Sequence, residues 1–106
     1  MNYYVYIYLD PRRPGRFEYD QYAFSHEPFY IGKGKNGQYI SHLNYVHNGN
    51  IDEHNPHKSY KIRNIIKESN QDPIILKFRE NLSEQEAFDL EIDLIKTIGR
   101  KGEMGL

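Results

Sequence analysis

Two tyrosine-bearing segments near the start of the chain could carry proton-transfer and phosphate chemistry. The first, at residues 4–6, reads Tyr-Val-Tyr; the second, at residues 29–32, reads Phe-Tyr-Ile-Gly and runs into Lys33-Gly34-Lys35. A phenol can donate or accept a proton, glycine lets a backbone approach a ligand, and lysine attracts phosphate. The pattern indicates a phosphate site, although a turn with exposed lysines would look the same.

A single carboxylate is placed where it could bind a metal ion. In the last predicted helix, Glu91 lies four residues after Ala87 and four before Ile95, on the apolar face that Leu94 and Ile98 share. A carboxylate that faces a core is costly unless it is paired or bound to metal. The spacing therefore leaves two interpretations of Glu91, an ion pair at the core edge or a metal ligand.

The histidines do not form a metal-binding cluster. His54 and His57 lie on either side of a predicted helix start, and no carboxylate stands at zinc-like spacing from them. We interpret His42 and His57 as donors to phosphate or to a catalytic hydroxyl, and His47 and His54 as surface residues.

Charge is distributed unevenly, although the net charge of the chain is only −1. Residues 28–67 hold six Lys or Arg and two acids, a local net charge of +4, and residues 68–106 hold five basic and nine acidic residues, a local net charge of −4. The positive part could face phosphate while the negative part supports the core and binds a cation. Two ordinary solvated faces would give the same distribution.

Length and composition indicate one small domain over residues 1–106. The absence of cysteine excludes disulfides, thiolate zinc sites and thiol nucleophiles. No apolar run is long enough to span a bilayer, and the polar N-terminus is unlike a signal peptide. We expect an intracellular, soluble, cytoplasmic domain without membrane contact.

The elements that would position these residues begin with a hairpin. Its strands are predicted at 2–9 and 28–32, and a long loop at 10–27, rich in proline and glycine, joins them. Alternation along the first strand predicts that about half of its tyrosines are buried and half exposed. Deleting the loop is expected to leave the domain folded.

Three helices and a third strand complete the predicted fold. The first helix is predicted at 37–47, and the second has Asn55 as N-cap and Pro56 at its first position. A strand follows at 74–78, after Pro73. The last helix has a Ser83–Glu86 capping box, a Leu82–Ala87 hydrophobic staple and a stop at Gly99. The order β-β-α-α-β-α predicts an α+β domain, a small, mostly antiparallel three-stranded sheet packed against helices.

Taken together, the motifs resemble the GIY-YIG nuclease superfamily. The first family motif matches residues 4–6, with Tyr in place of the leading Gly, and the second matches residues 30–32 without change. Residues 57–61 resemble the polar start of the helix before the third strand, and residues 90–96 resemble the helix that carries the metal-binding glutamate of the family. The resemblance covers almost the whole chain.

The resemblance implies a DNA endonuclease with one Mg²⁺ or Mn²⁺ ion held by Glu91 and water. It implies that Tyr6 is the general base for the attacking water, with its pKa lowered by Lys33, Lys35 or the metal. Tyr30 would orient the water or phosphate, and His42 would support proton transfer or contact phosphate. The implied substrate and phosphate contacts are Tyr4, Gly32, Lys33, Lys35, His57, Lys58, Lys61 and Arg63.

Two departures from the family pattern concern the site. The family arginine of the first helix corresponds to Gln38, which cannot neutralise a phosphate with a charged fork. An inactivating substitution, a natural low-activity or binding-only member, and compensation by Lys35 or Arg63 are all compatible with it. The family also places an asparagine after the last helix, and residues 99–106 contain none.

Two rival functions stay open, a non-catalytic DNA-binding module of the same fold and a protein-interaction domain anchored by tyrosines. DNA specificity would come from the 10–27 loop, where Arg12, Arg13 and Arg16 cluster, or from dimerisation. An oligomer is therefore compatible with the sequence.

Overall fold

A long hairpin with a third strand on one side forms the antiparallel sheet. The computed structural model describes residues 2–53 and 56–99. In chain order the elements are β1 (Tyr3–Tyr19), β2 (Tyr22–Lys35), a 3-10 turn (Gln38–Ile40), α1 (Ser41–His47), α2 (Pro56–Ser69), β3 (Ile74–Leu82) and α3 (Glu84–Ile98). The sheet order is β2-β1-β3. The predicted α+β class and the order β-β-α-α-β-α are confirmed.

Helices cover both faces of the sheet, so its central strand is buried on both sides. Val5, Ile7 and Leu9 pack with α3 in one core, and alternate tyrosines pack with α1 and α2 in a second core. The prediction that half of these tyrosines would be exposed is wrong, since Tyr4, at 5%, is the most exposed of Tyr4, Tyr6 and Tyr8. Half of these tyrosines could be exposed only if one face of the sheet were not covered by helices.

The predicted loop at 10–27 is strand apart from a tight turn, so that prediction was wrong. β1 and β2 continue through the segment and meet at Asp20, which has a φ of 55°. The register shifts at the prolines, including between Asp10 and Pro14. Bulges of this kind admit residues that would break a regular ladder. The prolines and the glycine of this segment therefore correctly indicated irregular backbone, but that backbone is an irregular part of the hairpin and not a loop.

The far end of the hairpin packs into the core beneath α3. Tyr22 and Phe24 are buried, and both rings contact Phe78 of β3. The Tyr22 hydroxyl donates a hydrogen bond to Asp93 of α3. Deleting residues 10–27 would remove both aromatic residues from this core. The structure therefore contradicts the expectation that the domain stays folded without the segment.

Replacing Tyr22 with phenylalanine tests this packing. We expect Tyr22→Phe to lower the free energy of unfolding by about 1 kcal/mol, because one hydrogen bond is lost while the ring stays in place. Urea unfolding of Tyr22→Phe, Asp93→Asn and the double variant measures the coupling. Strictly additive effects of the two substitutions would show that the hairpin end does not pack on α3 in this way.

The helices form largely where the sequence places them. The predicted 37–47 helix starts as the 3-10 turn and continues as α1. The capping box of α3 is present, since the Ser83 hydroxyl accepts from the Glu86 N–H and the Glu86 carboxylate accepts from the Ser83 N–H. Gly99 is its C-cap. The predicted N-cap Asn55 lies outside the described residues. Across residues 2–53 and 56–99, no helix is long and apolar enough to cross a membrane.

Candidate active site

Four side chains from different parts of the chain form a hydrogen-bonded chain beside the sheet. The Tyr6 hydroxyl on β1 lies 2.8 Å from Nε2 of His42 on α1. The other ring nitrogen of His42, Nδ1, lies 2.9 Å from Nζ of Lys58 on α2. Lys58 Nζ also donates to Asp52 Oδ2 at 3.0 Å. We call these residues, Tyr6, His42, Lys58 and Asp52, the Tyr6–Asp52 chain.

Tyr30 of β2 packs against this chain. Its ring centroid lies 4.9 Å from that of His42 and 6.2 Å from that of Tyr6, and Lys58 Nζ lies 4.8 Å from its ring centre. The fold therefore brings together three of the predicted catalytic residues, Tyr6, Tyr30 and His42.

Gly32, which pairs with Tyr6 across the hairpin, leaves the space that the Tyr6 ring occupies. A Cβ atom at this position would lie 2.5 Å from the Tyr6 hydroxyl oxygen and 2.9 Å from ring atom Cε1. These distances are far below van der Waals contact. The predicted substrate contact of Gly32 remains a prediction. The structure gives a steric reason for a glycine at this position, because a side chain would collide with the Tyr6 ring.

Glu91 lies on α3, which covers the face of the sheet opposite to the one that packs against α1 and α2. It is half-buried on α3 between the buried residues Ala87 and Leu94. Burial raises the pKa of its carboxyl, against the opposing effects of the Lys33 charge and the Lys33 backbone N–H. Burial also raises the pKa of Tyr30, and the Glu91 charge adds to that rise. Glu91 and Tyr30 are therefore close enough to interact electrostatically.

A single carboxylate is compatible with the kind of metal site that the resemblance implies. Mg²⁺ is commonly held by one or two carboxylates, with water and substrate phosphate as its other ligands. The described ranges hold no group of three or more metal-ligating side chains. Within the same ranges, no side chain forms an ion pair with Glu91. The neighbouring Lys33 pairs with Glu84 at 3.4 Å instead. Among the described residues, Glu91 thus fits as a carboxylate that could hold such an ion.

The phenol and imidazole of the Tyr6–Asp52 chain both have shifted pKa values. Burial, assisted by the neighbouring Tyr30, raises the pKa of Tyr6 well above its ordinary value. The predicted lowering by Lys33 or Lys35 is not found, because both ammonium groups lie 5.5 Å from the Tyr3 ring instead. Burial and the Lys58 charge lower the pKa of His42 to about 4, so its ring is neutral at pH 7.

The predicted phosphate contacts separate into exposed and buried residues. His57, Lys35 and Arg63 are exposed, and Arg63 stacks on the Tyr60 ring at 5.7 Å. Lys61 lies 3.7 Å from the buried carboxylate of Asp10. The Lys58 side chain is only 3% exposed, which argues against the phosphate contact predicted for it.

Tyr4 and Gln38 hold the glycine–lysine turn against the start of α1. The Tyr4 hydroxyl donates to the Asn36 carbonyl at 2.8 Å and accepts the Tyr39 N–H at 2.9 Å. Gln38 Oε1 accepts the Lys35 N–H at 2.8 Å. The Tyr4 hydroxyl is thus engaged inside the fold, which argues against its predicted phosphate contact. Gln38 is exposed and stands one helical turn before His42.

The arginines of the hairpin all have acidic partners. Arg12 pairs with Asp10 and with Glu68, at 2.7 Å in each case. Arg13 pairs with Glu27 at 3.0 Å, and Arg16 pairs with Glu18. These pairs leave little unneutralised charge for DNA, which weakens the prediction that this segment gives DNA specificity.

Sequence reasoning missed Asp52 and the place of Lys58 in the site. Lys58 precedes Ile62 by four residues and Ile65 by seven, so it shares the core-facing stripe of α2. A lysine on such a stripe needs an anionic partner. The stripe was a usable signal for Lys58, whereas Asp52 lies in a segment without periodicity.

Comparison with known proteins agrees with the motifs and the fold. The family model described as the LEM-3-like GIY-YIG domain matches residues 3–102. No curated protein and no solved structure matches the chain significantly. The match includes every residue of the candidate site, from Tyr6 to Glu91. The chain therefore belongs to the LEM-3-like GIY-YIG domain family, which has a nuclease-type fold.

Proposed function

We propose that this protein is a metal-dependent DNA endonuclease that hydrolyses phosphodiester bonds. One observation carries the proposal. Tyr6 and Tyr30, from paired strands, lie beside the imidazole of His42, and the half-buried Glu91 acts electrostatically on Tyr30. The arrangement supplies a candidate proton acceptor beside a neutral hydrogen-bonding imidazole, with a carboxylate within electrostatic range of Tyr30.

Glu91 is the residue that would hold Mg²⁺ or Mn²⁺. When bound, such an ion supplies positive charge to the scissile phosphate and to the leaving oxygen. The raised pKa of Glu91 supports this role, because the buried carboxylate is stabilised less than it would be in water. A cation would relieve that cost.

Tyr6 would accept the proton of the attacking water. Burial holds its pKa above the ordinary value, so a phenolate at this position needs stabilisation from hydrogen-bond donors or positive charge. The His42 ring, 2.8 Å away, is a direct partner for that oxygen. Tyr30, packed on the same ring, would orient the water or the phosphate.

Exposed basic residues near the site would contact the DNA backbone. His57 and Arg63 lie on the surface of α2, and α2 has no acidic residue before Glu68. Lys35 lies at the exposed end of β2. Contacts of this kind make DNA affinity fall as salt concentration rises.

Nicking of supercoiled plasmid DNA tests the proposed function. We expect nicking that requires Mg²⁺ or Mn²⁺, stops on addition of EDTA, and loses its metal-dependent part in Glu91→Gln, because the amide cannot supply the anionic ligand. Asp89→Asn is the matched control. It makes the same charge change on the same helix, at an exposed residue that bonds Gln85 at 2.8 Å. Equal metal-dependent nicking by Glu91→Gln and Asp89→Asn would contradict the assignment of Glu91.

One observation favours a second candidate, a DNA-binding domain without catalysis. The residue at the family arginine position, Gln38, is neutral, and its side-chain oxygen is engaged by the Lys35 N–H. This candidate predicts salt-dependent DNA binding by the chain but no metal-dependent nicking, even by Gln38→Arg. A domain for protein partners only, anchored by exposed tyrosines such as Tyr60, predicts no DNA binding at low salt.

A further inference from the structure

We propose that Lys58 is a positioning residue that fixes His42 in the tautomer protonated at Nε2, so that His42 donates a hydrogen bond to the Tyr6 hydroxyl oxygen. The hydrogen bonds from Lys58 to His42 and from His42 to Tyr6 do not depend on whether the protein cleaves DNA. Its catalytic consequence rests on the proposed endonuclease function.

First, the hydrogen-bond donors of the Tyr6–Asp52 chain fix the direction of the contact between Lys58 and His42. Lys58 lies 3.0 Å from the Asp52 carboxylate, the arrangement of an ammonium–carboxylate pair. An ammonium has three N–H donors and no acceptor. At the 2.9 Å contact with His42 Nδ1, Lys58 must therefore donate, and Nδ1 must accept with its lone pair.

The second step follows from the chemistry of a neutral imidazole, which carries a single ring proton. With Nδ1 used as an acceptor, that proton is on Nε2. The 2.8 Å contact between Nε2 and the Tyr6 oxygen is then a hydrogen bond donated by His42. His42 in this state cannot take a proton from Tyr6 through Nε2.

The third step concerns what this arrangement does for Tyr6. A donor at the phenol oxygen stabilises the phenolate, and the Lys58 charge on the far side of the ring strengthens that donor. The Tyr6 proton points away from His42 and must be lost to solvent before Tyr6 can act as a base. Once it is lost, the arrangement makes the Tyr6 phenolate, rather than His42, the group that accepts a proton from water.

Burial explains why the cation must act through the imidazole. The Lys58 side chain is 3% exposed, and its nitrogen lies between His42, Asp52 and the Tyr30 ring. It cannot reach a phosphate from this position. Asp52, 29% exposed, offsets the cost of burying the charge and fixes the ammonium opposite Nδ1.

The ¹⁵N chemical shifts of the His42 ring, measured in the free protein at pH 7, test the proposal. We expect a protonated-type shift at Nε2 and an unprotonated-type shift at Nδ1. In Lys58→Met, which keeps the length of the side chain without a donor, a population protonated at Nδ1 should appear. Lys58→Arg, again a donor-only cation, should retain the Nε2-protonated state, as should the control Lys67→Met, at an exposed residue of the same helix.

Two results would overturn the proposal. One is a wild-type His42 protonated at Nδ1, a measurement that needs no variant to fold. The other is a folded Lys58→Met protein with the tautomer ratio of the wild type. Neither depends on DNA cleavage, so failure of the proposal and failure of the endonuclease function are separable. If cleavage occurs, Lys58→Met should lower its rate on the order of tenfold while leaving DNA affinity unchanged.

Discussion

Replacing Gln38 with arginine is expected to raise the rate of Mg²⁺-dependent DNA cleavage by about a hundredfold or more. A guanidinium at this position would place a charged fork near the developing charge of the phosphate, and preorganised charge of this kind supplies several kcal/mol of transition-state stabilisation. Gln38 is exposed and precedes His42 by one helical turn, so its side chain can be lengthened without entering a core. Single-turnover cleavage of a labelled DNA duplex gives the rate.

The same substitution should carry a small cost in stability. Gln38 Oε1 accepts the Lys35 N–H, and its Cβ lies close to the space above Gly34. Arginine has no acceptor, so the exposed turn loses one hydrogen bond, about 1 kcal/mol of unfolding free energy. Gain of activity and loss of stability are therefore expected together, as is common where a functional residue replaces a structural one.

Two further variants at Gln38 separate charge from shape. Gln38→Met loses the turn hydrogen bond without adding charge and should not accelerate cleavage. Gln38→Lys adds a point charge without the planar fork and should give a smaller gain than arginine. If Gln38→Arg and Gln38→Met cleave equally slowly while both bind DNA, the missing arginine is not what limits this chain.

Residues on regular, strongly patterned elements could be placed from the sequence. Glu91 was located correctly because a capping box at Ser83 sets the start of α3 and helical spacing then fixes its face. Tyr6 and Tyr30 were brought together correctly because a hairpin pairs their strands, with Tyr6 opposite Gly32 and Tyr30 opposite Tyr8. Local signals sufficed where the contact depends on one element or on two neighbouring strands.

Contacts without a periodic signal, and contacts between distant segments, could not be placed in this way. Asp52 lies in a stretch without periodicity, so no pattern indicates its bond to Lys58, six residues later. The hairpin end was missed for a related reason. Its prolines signal irregular backbone, while the partners that bury Tyr22 and Phe24, among them Phe78, come from β3 and α3. Lowering of the Tyr6 pKa by Lys33 or Lys35 was predicted, but burial raises this pKa, and the degree of burial is a property of the whole fold.

Replacing Gly32 with alanine is expected to disrupt the site and the fold around it. The added methyl group would lie 2.5 Å from the Tyr6 hydroxyl oxygen, and the obstructing ring is itself held in the core, with Tyr6 only 3% exposed. Overpacking of this kind typically costs about 1–3 kcal/mol. In a domain of this size that corresponds to a fall in Tm of roughly 5–15 °C, which differential scanning calorimetry would measure.

The effect on activity should exceed the effect on stability. The ring can avoid the methyl group only by moving, and movement breaks the 2.8 Å contact between its hydroxyl and His42. A displacement of about 1 Å in a reacting group can lower a rate on the order of a hundredfold. We therefore expect Gly32→Ala, assayed at a temperature where it is folded, to lose most of its metal-dependent cleavage while still binding DNA.

Gly37 provides the matched control, because a Cβ there meets nothing within 4 Å and its φ of −92° suits any residue. Gly37→Ala should keep full activity and the wild-type Tm, or gain slightly from a less flexible unfolded chain. Tyr6→Phe removes only the hydroxyl oxygen and leaves ring atoms Cζ and Cε1 against the added Cβ, with Cε1 at 2.9 Å, so it should recover little of the stability lost in Gly32→Ala and should not restore cleavage. Equal behaviour of Gly32→Ala and Gly37→Ala would show that the Tyr6 ring does not depend on the space that Gly32 leaves.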